Sequence, residues 1–321
     1  MSSWPYVRSI ASIALCLFCI FSVTCPARAE DRYYSGEPKL QVEGNRSVTL
    51  IKTTVRIENF NVNVKHAFKS QSRQRIDLTF TLNAPSFGNR GDDAPYPDRS
   101  FSDLIMSLDG KRVPYTTNSK AYLNNKDVTQ ILADVSLSPN DVGKFGISPE
   151  TASPASGTVH AKLKDSGLID SKGRPLWSAK NDYEFKMDMP PRSTAVFQYV
   201  YNGLPGIFYI SPEDVDRPEI SRLVGIPWNS LQGVFGDNTR IQGFNILRVM
   251  NLPFWADSWR QPAEQLEINI SMSAVGDRQC LLVLLLDGQV YSGEGRLHLR
   301  LSKYQVKGPA WLAVYSPFSV H

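Results

Sequence analysis

From Ser47 to Phe68 the chain passes through Val48, Leu50, Val55, Ile57, Phe60, Val62 and Val64, a run of β-branched and aromatic residues with stretches of period two that reads as strands. Lys69 to Gln74 is polar and turn-like. Ile76, Leu78, Phe80 and Leu82 then alternate with Asp77, Thr79, Thr81 and Asn83, as a strand with one wet face requires, and the segment closes at Pro85. Phe87 to Ser100 is rich in Gly, Asp and Pro and reads as a loop. The next strand carries Leu104, Met106 and Leu108, and Asp109-Gly110 turns it as a hairpin into Val113 and Tyr115.

The period changes in the middle. Val128, Ile131, Leu132 and Val135 form a helical stripe with Asp127 placed to cap it, and Ser138-Pro139-Asn140 can start another helical turn. Ser148 to Ser156, enriched in Pro, Ser, Thr and Ala, reads as a surface connection and the best internal boundary. After Trp177, Tyr183, Phe185, Met187 and Met189 alternate with polar residues, Pro190 to Ser193 turns, and Ala195, Phe197, Tyr199 and Tyr201 alternate again, which predicts a long hairpin. Ser211 to Leu223 is polar and acidic, and Pro218 can begin a short helix through Val224. Further strands are expected at Arg240 to Met250, Leu266 to Met272, Leu281 to Leu286, Arg296 to Ser302 and Trp311 to Tyr315. The all-apolar run from Leu281 predicts a central strand covered on both faces and turned by Asp287-Gly288.

These elements predict a mainly β fold of two β-sandwich-like lobes with a short helical connecting segment: 30–120, a connection over 121–175, and 176–321. No fixed-period repeat supports a propeller or solenoid.

The first 29 residues read differently. One early cation, Arg8, precedes an apolar run from Ile10 to Val23 and the triplet Ala27-Arg28-Ala29, the layout of a secretory signal peptide with cleavage after Ala29. Ser22, Val23 and Thr24 ahead of Cys25 lack the Leu and small residue of a lipobox, so lipidation is discounted. Removing this segment takes two of the 35 cations, leaving 33 against 31 anions, and three of the four cysteines. So balanced a chain has no long-range field for nucleic acid, and none is expected as a partner. Cys280, opening the Leu281 run, reads as a buried small hydrophobe. No later stretch has membrane-spanning length, so the expectation is a periplasmic or secreted protein with no transmembrane segment after cleavage.

No motif specifies a reaction. A Gly-x-Ser-x-Gly elbow, a His-Glu-x-x-His pair, a phosphate loop and a dinucleotide Gly fingerprint are all missing, so no cofactor and no catalytic residue is assigned. His66, His160, His298 and His321 stand apart in sequence, with His66 and His298 expected on solvated or half-buried strand faces. Two acidic clusters suit a hard cation: Asp92, Asp93 and Asp98, and Glu213, Asp214, Asp216 and Glu219. Asp214 and Asp216, with calcium-loop alternation but without its Gly and bidentate Glu, are the metal candidates; a solvated turn is the plainer reading. Trp255, Trp259, Tyr201 and Tyr209, with Trp228 and Phe254, are candidate stacking platforms for a sugar or peptide, against the plainer reading of core packing.

Read together, several segments carry a resemblance. The strands Val62 to Pro85, the helix start Asp127-Val128-Thr129, Trp177 followed by Tyr183 and Phe185, and Phe197-Gln-Tyr-Val-Tyr201 with Gly203 and Gly206 resemble an exported bacterial family known as a domain of unknown function, number forty-four twenty-four. Trp259-Arg-Gln-Pro262, Arg296-Leu-His-Leu, Tyr304 and Trp311 are similar to its last third. The chain departs from the family pattern at Thr53 or Thr54, where an acidic residue is usual, and at Ala84, where Phe is. The resemblance implies an exported, β-rich architecture and no mechanism.

The leading expectation is a non-catalytic envelope protein that binds a protein or glycan through loops such as Phe87 to Ser100 and Ser211 to Pro227. The alternatives are a hydrolase or metal-dependent enzyme gathering His66 or His298 with Asp92 or Asp214, and a purely structural envelope protein.

Overall fold

The computed structural model describes residues 39–84, 87–88, 102–144, 157–171, 173–203, 205–210, 245–252, 262–274, 280–305 and 310–317. In chain order the strands are β1 (Lys39–Glu43), β2 (Val48–Glu58), β3 (Asn61–Ser70), β4 (Ile76–Asn83), β5 (Phe87–Gly88), β6 (Ser102–Leu108), β7 (Lys111–Arg112), β8 (Thr116–Leu123) and β9 (Lys126–Asp127). After two short helices, α1 (Thr129–Ala133) and α2 (Gly157–Asp165), come β10 (Ser178–Met189), β11 (Thr194–Asn202), β12 (Gly206–Ile210), β13 (Asn245–Leu252), β14 (Ala263–Ser271), β15 (Leu281–Leu286), β16 (Gln289–Glu294), β17 (Arg296–Tyr304) and β18 (Ala310–Pro317). The fold is mainly β, and among the described residues no helix is long and apolar enough to cross a membrane.

A six-stranded sheet ordered β1-β4-β10-β8-β9, with β5 also on β10, faces a seven-stranded sheet ordered β17-β14-β2-β3-β11-β6-β7. Their inward rows interdigitate as a sandwich core: Val62, Val64 and Phe68 of β3 and Phe197 and Tyr199 of β11 meet Leu78 and Phe80 of β4 and Phe185 of β10. The Phe197 ring lies 4.4 Å from Phe80 and is parallel to Phe185 at 5.5 Å. Burial of these rings is the dominant stabilising term, since each removes a large apolar area from water.

The Tyr183 to Tyr201 segment is not a hairpin. β10 belongs to the six-stranded sheet and β11 to the seven-stranded one, so Pro190 to Ser193 arches from one layer to the other. The link from β3 to β4 does the same, and the two arches are tied by Ser70 N–H to Ser193 O (2.9 Å), Arg192 N–H to Ser72 O (3.2 Å) and the ion pair Arg75–Asp188. Alternation says which face of each strand is buried and nothing about which strand lies beside it, so hairpin and arch share one sequence pattern.

The expected division into 30–120 and 176–321 does not follow the sheets. β10 and β11 complete both layers begun by β2 to β8, and β14 and β17 extend the seven-stranded sheet from β2, with β14 parallel to β2. Ser148 to Ser156, the expected boundary, lies outside the described residues.

A five-stranded sheet, β12-β13-β18-β15-β16, holds the apolar run. β15 lies between β18 and β16, and Leu282 to Leu286 are all buried, as a strand covered on both faces must be. Its turn, Asp287-Gly288, has both φ angles positive (49° and 76°), as does Asp109-Gly110 (49° and 78°), the geometry a two-residue hairpin needs. The N-cap position of α1 is Val128, whose side chain makes no capping hydrogen bond, and not the expected Asp127; Asp127, one residue earlier, accepts from Thr129 N–H at 3.0 Å and turns the chain into the helix. Leu132 of α1 is buried but Ile131 is exposed, so the helical stripe is narrower than its spacing suggests. Helix α2 has little sequence signal, since only Val159 and Leu163 mark its apolar side. Both helices cover a small second core around Trp177, whose indole N–H donates to Pro139 O at 3.1 Å.

Candidate functional site

His66 is found in the core, not on the half-buried face expected for it. In β3 the inward positions are Val62, Val64, His66 and Phe68, and the apolar neighbours decide which face turns in. His66 stands between Thr53 of β2 and Phe197 of β11, with Nδ1 3.0 Å from the Thr53 hydroxyl. Its Nε2 has no hydrogen-bond partner among the described residues. Burial pushes the imidazole down to about 3, so it is neutral at physiological pH and enclosed, a poor base for any substrate.

His298 is on the opposite side of the same sheet, exposed on the outer face of edge strand β17. The outer side chains of three adjacent strands form a grid. Arg56 of β2 pairs with Asn269 of β14, which pairs with His298 of β17; in the next row stand Glu58, Ser271 and Arg296. The middle strand carries the two short side chains and its flanks the long ones, so an open depression of about 380 Å³ forms over Asn269 and Ser271. Ile57, Ile270 and Leu297 line it through their backbone, their side chains being buried in the core.

His298 is oriented by a chain of hydrogen bonds along this face. The Lys52 ammonium donates to Glu267 at 2.5 Å, Glu267 accepts from the Asn269 amide nitrogen at 3.2 Å, and the Asn269 carbonyl oxygen faces His298 Nδ1 at 2.5 Å. With Asn269 nitrogen committed to the carboxylate, its oxygen is the acceptor, so Nδ1 carries the hydrogen and Nε2 is left for a ligand. The hydrogen bonds from Lys52 and then Asn269 hold Glu267 below the usual carboxylate range. The orienting group on His298 is thus an amide; Asp92 and Asp214, the carboxylates named with it in the enzyme alternative, lie outside the described residues.

Tyr201 is 1% exposed, stacked on Tyr199 at 6.4 Å inside the sandwich, so its ring is not presented to a ligand. Tyr209 lies in β12 opposite Ile246. Trp255, Trp259, Trp228, Phe254, Asp214, Asp216, Glu213, Glu219, Asp92, Asp93 and Asp98 lie outside the described residues. Among the described residues no three His, Cys, Asp or Glu side chains gather as a metal site. Cys280 is buried with its sulfur near Ser273 O (3.3 Å) and the Ser316 hydroxyl (3.4 Å), the place of a small core residue. Sequence reasoning missed Arg56, Asn269 and Arg296 as a group. The only signal for them is their polar half of an alternating strand, which any wet sheet face shares.

A search of the curated proteins returns no match. Among solved structures the chain is similar to a candidate nutrient binding protein from Legionella pneumophila, at 8% identity and a TM-score of 0.38, over 87% of this chain and 72% of that one. A family model described as Domain of unknown function (DUF4424) matches residues 33–216, ending before β14 and β17. With more than half its length matched, the chain belongs to the DUF4424 family.

Proposed function

We propose that this protein is an exported, non-catalytic binding module of the bacterial envelope that takes its ligand on the outer face of the seven-stranded sheet. The observation that carries the reading is the depression over Asn269 and Ser271, walled by polar side chains of three strands and containing an imidazole held in one orientation. Groups positioned by a rigid sheet bind with little ordering cost. Export rests on the leader-like pattern of Arg8, the Ile10 to Val23 run and Ala27-Arg28-Ala29.

Two measurements test this. Fractionation of the native host followed by N-terminal sequencing should find the protein outside the cytoplasm beginning at Glu30; an intact Met1 terminus on a cytoplasmic protein refutes export. Melting in the presence of cell-wall glycans, small metabolites, calcium, zinc or chelator should show a rise with a ligand that also perturbs the His298 ring in NMR spectra, because a ligand bound only by the folded state must stabilise it. A rise that instead maps to Trp255 and Trp259, or to Asp214 and Asp216, moves the site to those residues and refutes the outer-face assignment.

A further inference from the structure

Two cations of the outer sheet face have close partners. Lys52 is held by Glu267, and with the Gln265 amide turned to the orientation that satisfies both of its ends, its oxygen accepts from the Arg300 guanidinium. Arg56 and Arg296 are different. Among the described residues Arg56 approaches only Glu58, at 4.0 Å with both side chains about two-thirds exposed, a pair worth little in water. Arg296 makes no ion pair or side-chain hydrogen bond among the described residues. These two guanidinia stand at diagonal corners of the grid and line the same depression, with the Ser271 hydroxyl between them and His298 Nε2 at a third corner.

Charged side chains on an edge strand such as β17 also discourage sheet-to-sheet aggregation, and that accounts for cations at Arg296 and Arg300. It does not account for a depression lined by two uncommitted guanidinia, or for an imidazole steered by Lys52, Glu267 and Asn269. Resting on the outer-face reading above, we infer that this depression is a binding site for an oxyanion, a phosphate or carboxylate group of the ligand. Arg56 and Arg296 grip the oxyanion through their planar N–H forks and the Ser271 hydroxyl donates to it, while His298 Nε2, which carries no hydrogen in this tautomer, accepts from a hydroxyl or amine group of the same ligand. Glu58 at the fourth corner faces the ligand's hydroxyl or amine groups. The site spans the matched family domain and the strands that follow it, since Arg56 and Glu58 precede residue 216 and the other four side chains come after it.

The test is calorimetric titration of the purified protein at low salt with inorganic phosphate, with succinate and with glucose, following the His298 ring by NMR in parallel. One of the two anions should bind saturably at one site, shift the His298 resonances, and lose at least ~10-fold in affinity in the Arg56→Gln/Arg296→Gln variant. Lys111→Gln, an exposed cation on β7 at the far edge of the sheet, should leave affinity within about twofold, because screening confines charge effects to roughly a Debye length. The tighter of phosphate and succinate identifies the oxyanion. Absence of saturable binding by both anions overturns the inference, as does binding that survives the double substitution. If glucose or another neutral ligand shifts the His298 resonances while neither anion binds, the oxyanion assignment falls and the outer-face binding reading stands; if no ligand touches His298, both fall.

Discussion

Acidification from pH 7 to pH 5 should destabilise this protein through His66. His66 has its imidazole pushed from 6.5 down to about 3 by complete burial. Above pH 6.5 folded and unfolded chains both hold it neutral, and it contributes nothing. As pH falls below 6.5 the unfolded chain takes up a proton that the folded chain refuses, so stability declines until about pH 3, where the folded form also protonates. At about 1.4 kcal/mol per unit, the shift amounts to about 5 kcal/mol in full and about 2 kcal/mol between pH 7 and pH 5. That is a large part of the 5–15 kcal/mol typical of a domain. Urea unfolding at the two pH values should show the native protein losing about 2 kcal/mol more than the Thr53→Val/His66→Leu variant, which removes both partners of the buried hydrogen bond together and so strands neither. Equal losses in the two proteins, or an NMR titration of His66 near 6.5 in the folded state, refute the reasoning.

Phe197→Ala should cost about 3–5 kcal/mol, because it empties the centre of the sandwich against Phe80 and Phe185; a loss below about 1.5 kcal/mol by denaturant titration would mean the two layers close over the gap. Gly44→Ala should cost about 2 kcal/mol or more, since Gly44 has φ of 80° and an added Cβ would meet the Asp77 carbonyl oxygen; a melting temperature unchanged by the substitution counts against the observed β1–β4 approach.

Much of the strand content was legible in the sequence. The alternation in Ile76 to Asn83, Tyr183 to Met189 and Ala195 to Tyr201 marks real strands with the predicted faces buried, and the unbroken run from Leu281 marks a strand covered on both sides. Both Asp-Gly turns are also local facts, set by the freedom of two residues to take positive φ. A period of two, however, names a face and not a neighbour. Pairing is decided by which edges and apolar faces meet when the whole chain collapses, and so β10 and β11 lie in opposite layers and β14, carrying β17 on its other side, attaches to β2 from more than two hundred residues away. The position of His66 illustrates the boundary between the two: its inward face follows from Val64 and Phe68 beside it, while its contact with Thr53 needs the β2–β3 register. The outer-face site falls wholly on the tertiary side. Arg56, Asn269 and His298 are unremarkable polar positions of three separate strands, and only the register of β2, β14 and β17 brings them into one row, because sheet neighbours are fixed by backbone hydrogen bonds that carry no trace in side-chain periodicity.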